Sequence, residues 1–176
     1  MPYNLILSNT NKVAQISDED IDKVIQLSIS LDSPWKENPR GYPVIEKRSF
    51  GVTNYHFLHK FILGNPKHTL IDHIDRDRLN CKRDNLRFAT ESENQANTGI
   101  RKDSSSGYKG INQCKSSGKW RVRIQIDYKS ITIGQFICLK EAVEAYNRKA
   151  FETHGEFAFL NPIDNIQCNC PLCKVR

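Results

Sequence analysis

At roughly 150 residues per domain, a chain of 176 residues holds one large domain or two small ones, which excludes a large multidomain assembly. Its 38% apolar content sustains compact cores of modest size and excludes disorder throughout. Lys and Arg outnumber Asp and Glu by 26 to 20, a net charge of +6, and the surplus is local. Residues 1–97 carry 13 basic and 13 acidic side chains, whereas 101–129 carry eight basic (Arg101, Lys102, Lys109, Lys115, Lys119, Arg121, Arg123, Lys129) against two acidic (Asp103, Asp127). No run approaches the ~18 apolar residues of a membrane span, and Met1-Pro2-Tyr3-Asn4 has neither the basic flank nor the apolar core of a targeting signal. The cysteines at 81, 114, 138, 168, 170 and 173 crowd toward the end rather than spreading as a disulfide framework. Reduced thiols and an intracellular protein are expected.

Lys12–Ile16 reads as a short strand. Ser17 is placed as an N-cap, with acids in the first turn and apolar residues at Ile21, Val24, Ile25 and Leu27, which predicts a helix over about 18–29. Pro34, Pro39, Gly41 and Pro43 punctuate a loop anchored by Trp35. Val44–Lys47 is expected to be a strand, and Thr53–Leu63 a strand running into a helical turn that ends at Gly64-Asn65-Pro66. The polar, turn-rich stretch around residue 100 predicts a linker. Beyond it, Tyr108–Gln113, Trp120–Asp127 and Lys129–Phe136 read as strands, and Leu139–His154 as an amphipathic helix that closes at Gly155.

Two constellations carry chemistry. Leu70-Ile71-Asp72-His73-Ile74-Asp75 sets an acid beside a histidine at the end of an apolar strand, with Asn85 and then Asn94 downstream. A neutral imidazole takes a proton from water near neutral pH, while a carboxylate and an amide oxygen are hard ligands suited to Mg²⁺. Thr90 is a plausible cap for a helix over 91–97. His59 lies in an apolar run and reads as a packed histidine, while His68, after Pro66-Lys67, reads equally as a group facing a phosphate or as a loop residue. Arg76, Arg78 and Arg87 flank the acid–histidine pair and are candidate phosphate clamps for DNA.

The run Asp72 to Asn80, then Asp84-Asn85-Leu86-Arg87, then Glu93-Asn94-Gln95-Ala96-Asn97 closely resembles the HNH motif of phage and intron-encoded homing endonucleases. Phe57–Gly64 resembles the helix that precedes it. The resemblance implies a ββα-metal fold and assigns catalytic roles. His73 is the general base, Asp72 and Asn94 hold a divalent cation at the scissile phosphate, and Asn85 pins the loop and orients His73. Products would carry 5′-phosphate and 3′-hydroxyl ends. Many members have histidine where this chain has Asn94, and the amide oxygen favours Mg²⁺ (or Mn²⁺) over Zn²⁺.

The second constellation is Trp120-Arg121-Val122-Arg123-Ile124-Gln125-Ile126. Period-two alternation puts Trp120, Val122, Ile124 and Ile126 on one face and Arg121, Arg123 and Gln125 on the other, with Lys129 in the following turn and Ser130 and Thr132 beside the arginines. Guanidinium and amide groups are those that read guanine and adenine edges in a major groove. Ser106–Ile111, Gly118–Ile124, Ile133–Phe136, Glu141–Tyr146 and Ala150–Asn161 together resemble the Apetala-two/ethylene-response-factor (AP2/ERF) DNA-binding domain. That resemblance implies a DNA face of Lys109, Asn112, Arg121, Arg123, Gln125, Ser130, Thr132 and Gln135. Plant members have arginine or tryptophan at several places where this chain has Asn112, Cys114 or Thr132, so their target does not transfer.

The expected architecture is α+β: an N-terminal nuclease domain over 1–97, a three-stranded antiparallel sheet with one helix over 98–162, and a cysteine-containing tail over 163–176. Cys168, Cys170 and Cys173 are one ligand short of a closed zinc site, which His154 or another chain would have to complete, so the segment is read as an unstructured or redox-sensitive tail, with zinc as the minor alternative. The function expected is a metal-dependent endonuclease acting on double-stranded DNA as a monomer, with no membrane and no small-molecule substrate. The alternatives are a catalytically inactive DNA-binding regulator that keeps the fold and an RNA-directed nuclease.

Overall fold

A computed structural model describes residues 3–164 and 166, so the three tail thiols, and with them the tail reading and its zinc alternative, lie outside the described residues. The fold is mixed helix and sheet, built on small antiparallel sheets. The chain divides into two compact units between Thr90 and Glu91, earlier than the expected division after Asn97.

In the first unit, β1 (Tyr3–Ile6) pairs with β2 (Val13–Ile16). The expected N-cap at Ser17 does not form. Residues Asp18–Asp20 make a 3-10 turn, Ser17 makes no capping bond, and its hydroxyl accepts the Arg83 backbone N–H at 2.9 Å instead. Helix α1 (Ile21–Ser30) follows and buries Val24 completely. Asp20, also fully buried, is satisfied by Arg83 and by Lys23, at 2.9 and 2.6 Å. Buried charge survives only with such pairing.

Strand β3 (Lys36–Glu37) pairs with β4 (Pro43–Ser49), which pairs with β5 (Val52–Phe57); helix α2 (Leu58–Ile62) continues from β5. Strands β6 (Leu70–His73) and β7 (Leu86–Ala89) form a separate antiparallel pair. Trp35, Ile45, Leu58, Ile62, Ile71 and Leu86 meet in one apolar core, and Trp35 donates its indole N–H to the Val24 carbonyl at 3.2 Å. Ile71 places β6, and Leu86 places β7, against that core.

The second unit opens with α3 (Glu91–Asn97). Three antiparallel strands follow, β8 (Ile111–Gln113), β9 (Trp120–Ile126) and β10 (Lys129–Phe136), in the order β10-β9-β8, and α4 (Leu139–His154) packs on the sheet. The alternation holds: Val122 and Ile124 are buried, while Arg123 and Gln125 are exposed. The stretch around residue 100 has no helix or strand, but the Ser106 hydroxyl ties it down by donating to the Ile111 carbonyl at 2.6 Å.

Gly110 is the tightest approach in this unit. It sits at φ +74°, and a Cβ there would stand 2.3 Å from both the Arg123 carbonyl and the Tyr146 ring. Gly110→Ala adds left-handed strain to overpacking, so the unit should lose about 2 kcal/mol or more, read as a shifted denaturant midpoint. An unchanged midpoint would contradict this packing.

Candidate active site

His73 ends β6, opposite Leu86 of β7, and Asp72 stands opposite Arg87. Asp72 and His73 are each only 5% exposed. The Arg87 guanidinium donates to Asp72 Oδ2 from Nε and Nη2, at 2.9 and 2.8 Å. The structure therefore turns Arg87, expected as a phosphate clamp, onto the carboxylate beside the histidine.

The loop between the two strands is closed by Asn85, itself buried. Its amide oxygen accepts the Asp75 backbone N–H at 3.0 Å, and its NH₂ donates to Asp75 Oδ1 and to the Asn80 carbonyl, both at 2.8 Å. Its main-chain carbonyl accepts the Ile74 N–H at 2.9 Å. Asp75 also accepts from Asn80 Nδ2 at 2.6 Å and from the Asp77 N–H at 2.8 Å. Burial raises the Asp75 carboxyl, but these donors outweigh it and hold the group below the ordinary carboxylate value.

Around the His73 ring lie groups that no local pattern singles out. His59 on α2 meets it edge-on with ring centroids 5.2 Å apart, Tyr42 lies 6.0 Å away, and Cys81 Sγ stands 3.9 Å from Nε2. Burial lowers the His73 pKa below 6.5, against the opposing pull of Asp75, Asp72 and Asp77, and Arg78 adds to the lowering. Such an imidazole is neutral at neutral pH and keeps one nitrogen as an acceptor. Burial pushes the Cys81 thiol up, so it remains protonated.

His59, read from sequence as a packed histidine, is 5% exposed. Its pKa falls to about 3, through burial first and then His73 and Lys60, and its Nδ1 has no hydrogen-bond partner among the described residues. The other flanking arginines differ from one another. Arg78 stacks over Tyr42, 4.7 Å from the ring centroid, and donates to the Arg40 carbonyl. Arg76 is exposed, at φ +68°, with its N–H donating to the His73 carbonyl at 2.9 Å. Asn94 lies on α3, in the second unit.

On the sheet of the second unit, Arg121, Arg123 and Gln125 stand opposite Gln135, Thr132 and Ser130, and Asn112 stands opposite Arg121. A bulge between Thr132 and Gly134 leaves Ile133 unpaired in the register and brings Gln135 onto the face of Thr132; unbroken alternation would put it on the other side. Lys129 stands opposite Ile126 at the strand's start. Lys109 departs from the expected groove face. Its ammonium donates to the carbonyls of Gln95, Ala96 and Thr98 at 3.2, 2.7 and 2.7 Å, which ties it to the C-terminal end of α3.

The family model for HNH endonucleases matches residues 64–96. An uncharacterized HNH endonuclease of Acanthamoeba polyphaga mimivirus is 32% identical over 133 residues, covering 74% of this chain and 67% of its own. Protein 3.8 of Escherichia phage T7 is 36% identical over 93 residues, covering 53% of this chain and 76% of its own. The chain belongs to the HNH endonuclease family. No solved structure matches it.

The HNH match encloses Asp72, His73, Asn85 and Asn94 and leaves Tyr42 and His59 outside. Among the described residues no three His, Cys, Asp or Glu side chains converge as a metal cage.

Because the fold keeps His59 neutral down to about pH 3 while an unfolded chain protonates it near pH 6.5, protons favour the unfolded state between those values. Stability should fall as pH drops through that window, by on the order of a few kcal/mol. His59→Phe keeps a ring and removes the titration, so its denaturant midpoint should fall less steeply than wild type between pH 7 and about 4. Parallel curves would contradict the buried neutral state.

Proposed function

We propose that this HNH endonuclease hydrolyses phosphodiester bonds of duplex DNA in the homing manner, with a ββα-metal centre built on His73. The observation that carries the reading is a buried, neutral imidazole at the end of β6, adjacent in the chain to the carboxylate of Asp72. His73 takes a proton from the attacking water, the new P–O bond forms as the bond to the 3′-oxygen breaks, and the leaving oxygen gains a proton from solvent. The products are 5′-phosphate and 3′-hydroxyl ends. Asp72 is the hard-oxygen holder of Mg²⁺ or Mn²⁺, with Asn94 assigned as a second donor on motif spacing alone; the ion supplies Lewis acidity at the phosphate. Asn85 is a positioning residue, since its bonds close the loop that follows His73.

The face with Asn112, half-buried Arg121, Arg123, Gln125, Ser130, Thr132 and Gln135, and Lys129 at its edge, is the surface that reads DNA, in the manner of an AP2/ERF sheet. Arg76 contributes to the backbone near the cut. The enzyme acts as a monomer and nicks one strand, and its viral relatives fit a virus-encoded origin.

Nicking of supercoiled plasmid with Mg²⁺ tests the assignment. His73→Ala should slow cleavage by about 10²–10⁴-fold while duplex binding is retained, and the wild-type nick should be sealed by ligase without prior end repair. Undiminished cleavage by His73→Ala would remove the general base; no cleavage by wild type would favour the inactive regulator. Separately, Arg121→Ala with Arg123→Ala should abolish preference among target sequences and leave slow, unspecific nicking. Retained preference would contradict the sheet face.

A further inference from the structure

Phe50 and Gly51 form the tip of the β4–β5 hairpin, between the paired residues Ser49 and Val52. Both are left-handed, at φ +49° and +79°. Two-residue tips of this hand favour Asn-Gly or Asp-Gly, because a left-handed backbone crowds any bulky side chain. The Phe50 ring is also fully solvent-exposed and packs on nothing among the described residues. Strain and an apolar ring without support from the described residues thus coincide at one position.

The β9–β10 hairpin gives the comparison. Its tip, Asp127-Tyr128, is left-handed as well, at φ +45° and +63°, but Tyr128 donates its hydroxyl to Glu91 at 2.6 Å. That aromatic tip has an intramolecular use, and Phe50 has none among the described residues.

The surroundings of Phe50 say what chemistry it faces. From Lys47 to Asn54 the hairpin carries two cations, Lys47 and Arg48, and no acid. Arg48, Ser49 and Asn54 are exposed, whereas the Lys47 ammonium is tied to the Leu31 carbonyl at 2.7 Å. At the other end, the Phe57 ring meets Tyr42 and His59 at 6.1 and 5.7 Å, and both of those flank His73. The hairpin therefore springs from the candidate active site and reaches roughly 20 Å from it at ~3.3 Å per residue.

We infer that this hairpin is a DNA wedge: Phe50 inserts between two base steps of the substrate duplex from the minor groove, and Arg48 holds a neighbouring phosphate. The inference rests on the nuclease reading for its substrate and adds a specificity element to it. Apolar wedges of this kind unstack a step and kink the duplex by roughly 20–90°. Pyrimidine–purine steps unstack most easily, so the wedge favours targets with TA or CA a fixed distance from the cut, without hydrogen-bonding a base.

The test uses full-length protein carrying His73→Ala, so that binding is read without cleavage, and short duplexes bearing a fluorophore at each end and a TA step. Phe50→Gly relieves the backbone and removes the ring. It should unfold no earlier than its parent, yet bind on the order of tenfold more weakly and lose the kink seen as energy transfer. Phe50→Trp should keep the kink, and Arg48→Ala should weaken binding evenly across sequences with a shallower salt dependence. Phe50→Gly that binds and bends like its parent overturns the wedge. So does a Phe50→Gly effect confined to self-association by light scattering, since the ring would then face a second copy of the chain. Cleavage that survives His73→Ala would overturn the catalytic assignment and leave the bending result standing; failure of wild type to bind duplex DNA would overturn both.

Discussion

Asn85 commits both ends of its amide to the loop that follows His73, and the rest of the candidate site depends on that closure. Twelve residues separate β6 from β7, and an open loop of that length would leave the strand's end free to fray. Two side-chain hydrogen bonds of one buried amide join Asp75 near the loop's start to its last residue, and a third ties in Asn80 at its middle. Cys81 adds a second tie, its N–H donating to the Gln15 carbonyl of β2 at 2.9 Å, so the loop is stitched to the unit's apolar core. His73 thereby ends a strand whose ends are both held.

The electrostatics around it follow from burial against charge. Three acids draw a proton toward His73, and the low-dielectric surroundings repel it more strongly. A second neutral imidazole, His59, lies edge-on against the first, and a protonated thiol stands near its Nε2. Asp72, one residue earlier, is ion-paired with Arg87 across the strand pair. An uncharged base thus stands beside a carboxylate already engaged by a guanidinium.

Much of this was legible in the chain. Trp120–Ile126 alternates strictly and Leu139–His154 keeps one apolar stripe, and β9, β10 and α4 fall where those periodicities put them. Asp72, His73 and Asn85 were legible as a group because a single loop holds them. What escaped depends on long-range packing. Tyr42 and Cys81 reach His73 through the tertiary fold, Arg87 meets Asp72 only through a register that a long loop leaves open, and α3 belongs with the second unit through Lys109 and through the Phe159 N–H on the Ala96 carbonyl. At Ser17 the local signal was overruled, because the hydroxyl that could cap a helix serves the Arg83 backbone, next to the buried Asp20 pair.

Ring contacts join the β4–β5 hairpin to the histidine within the first unit. In the function proposed, His73 works as a neutral base whose proton affinity is set by burial. The most direct measurement is the pH dependence of single-turnover cleavage at saturating Mg²⁺. Because the fold lowers the His73 pKa, the base is already free below pH 6.5, so the acidic limb should have its midpoint under that value and the rate should be level from there to about pH 8. A midpoint at or above 6.5 would contradict the account.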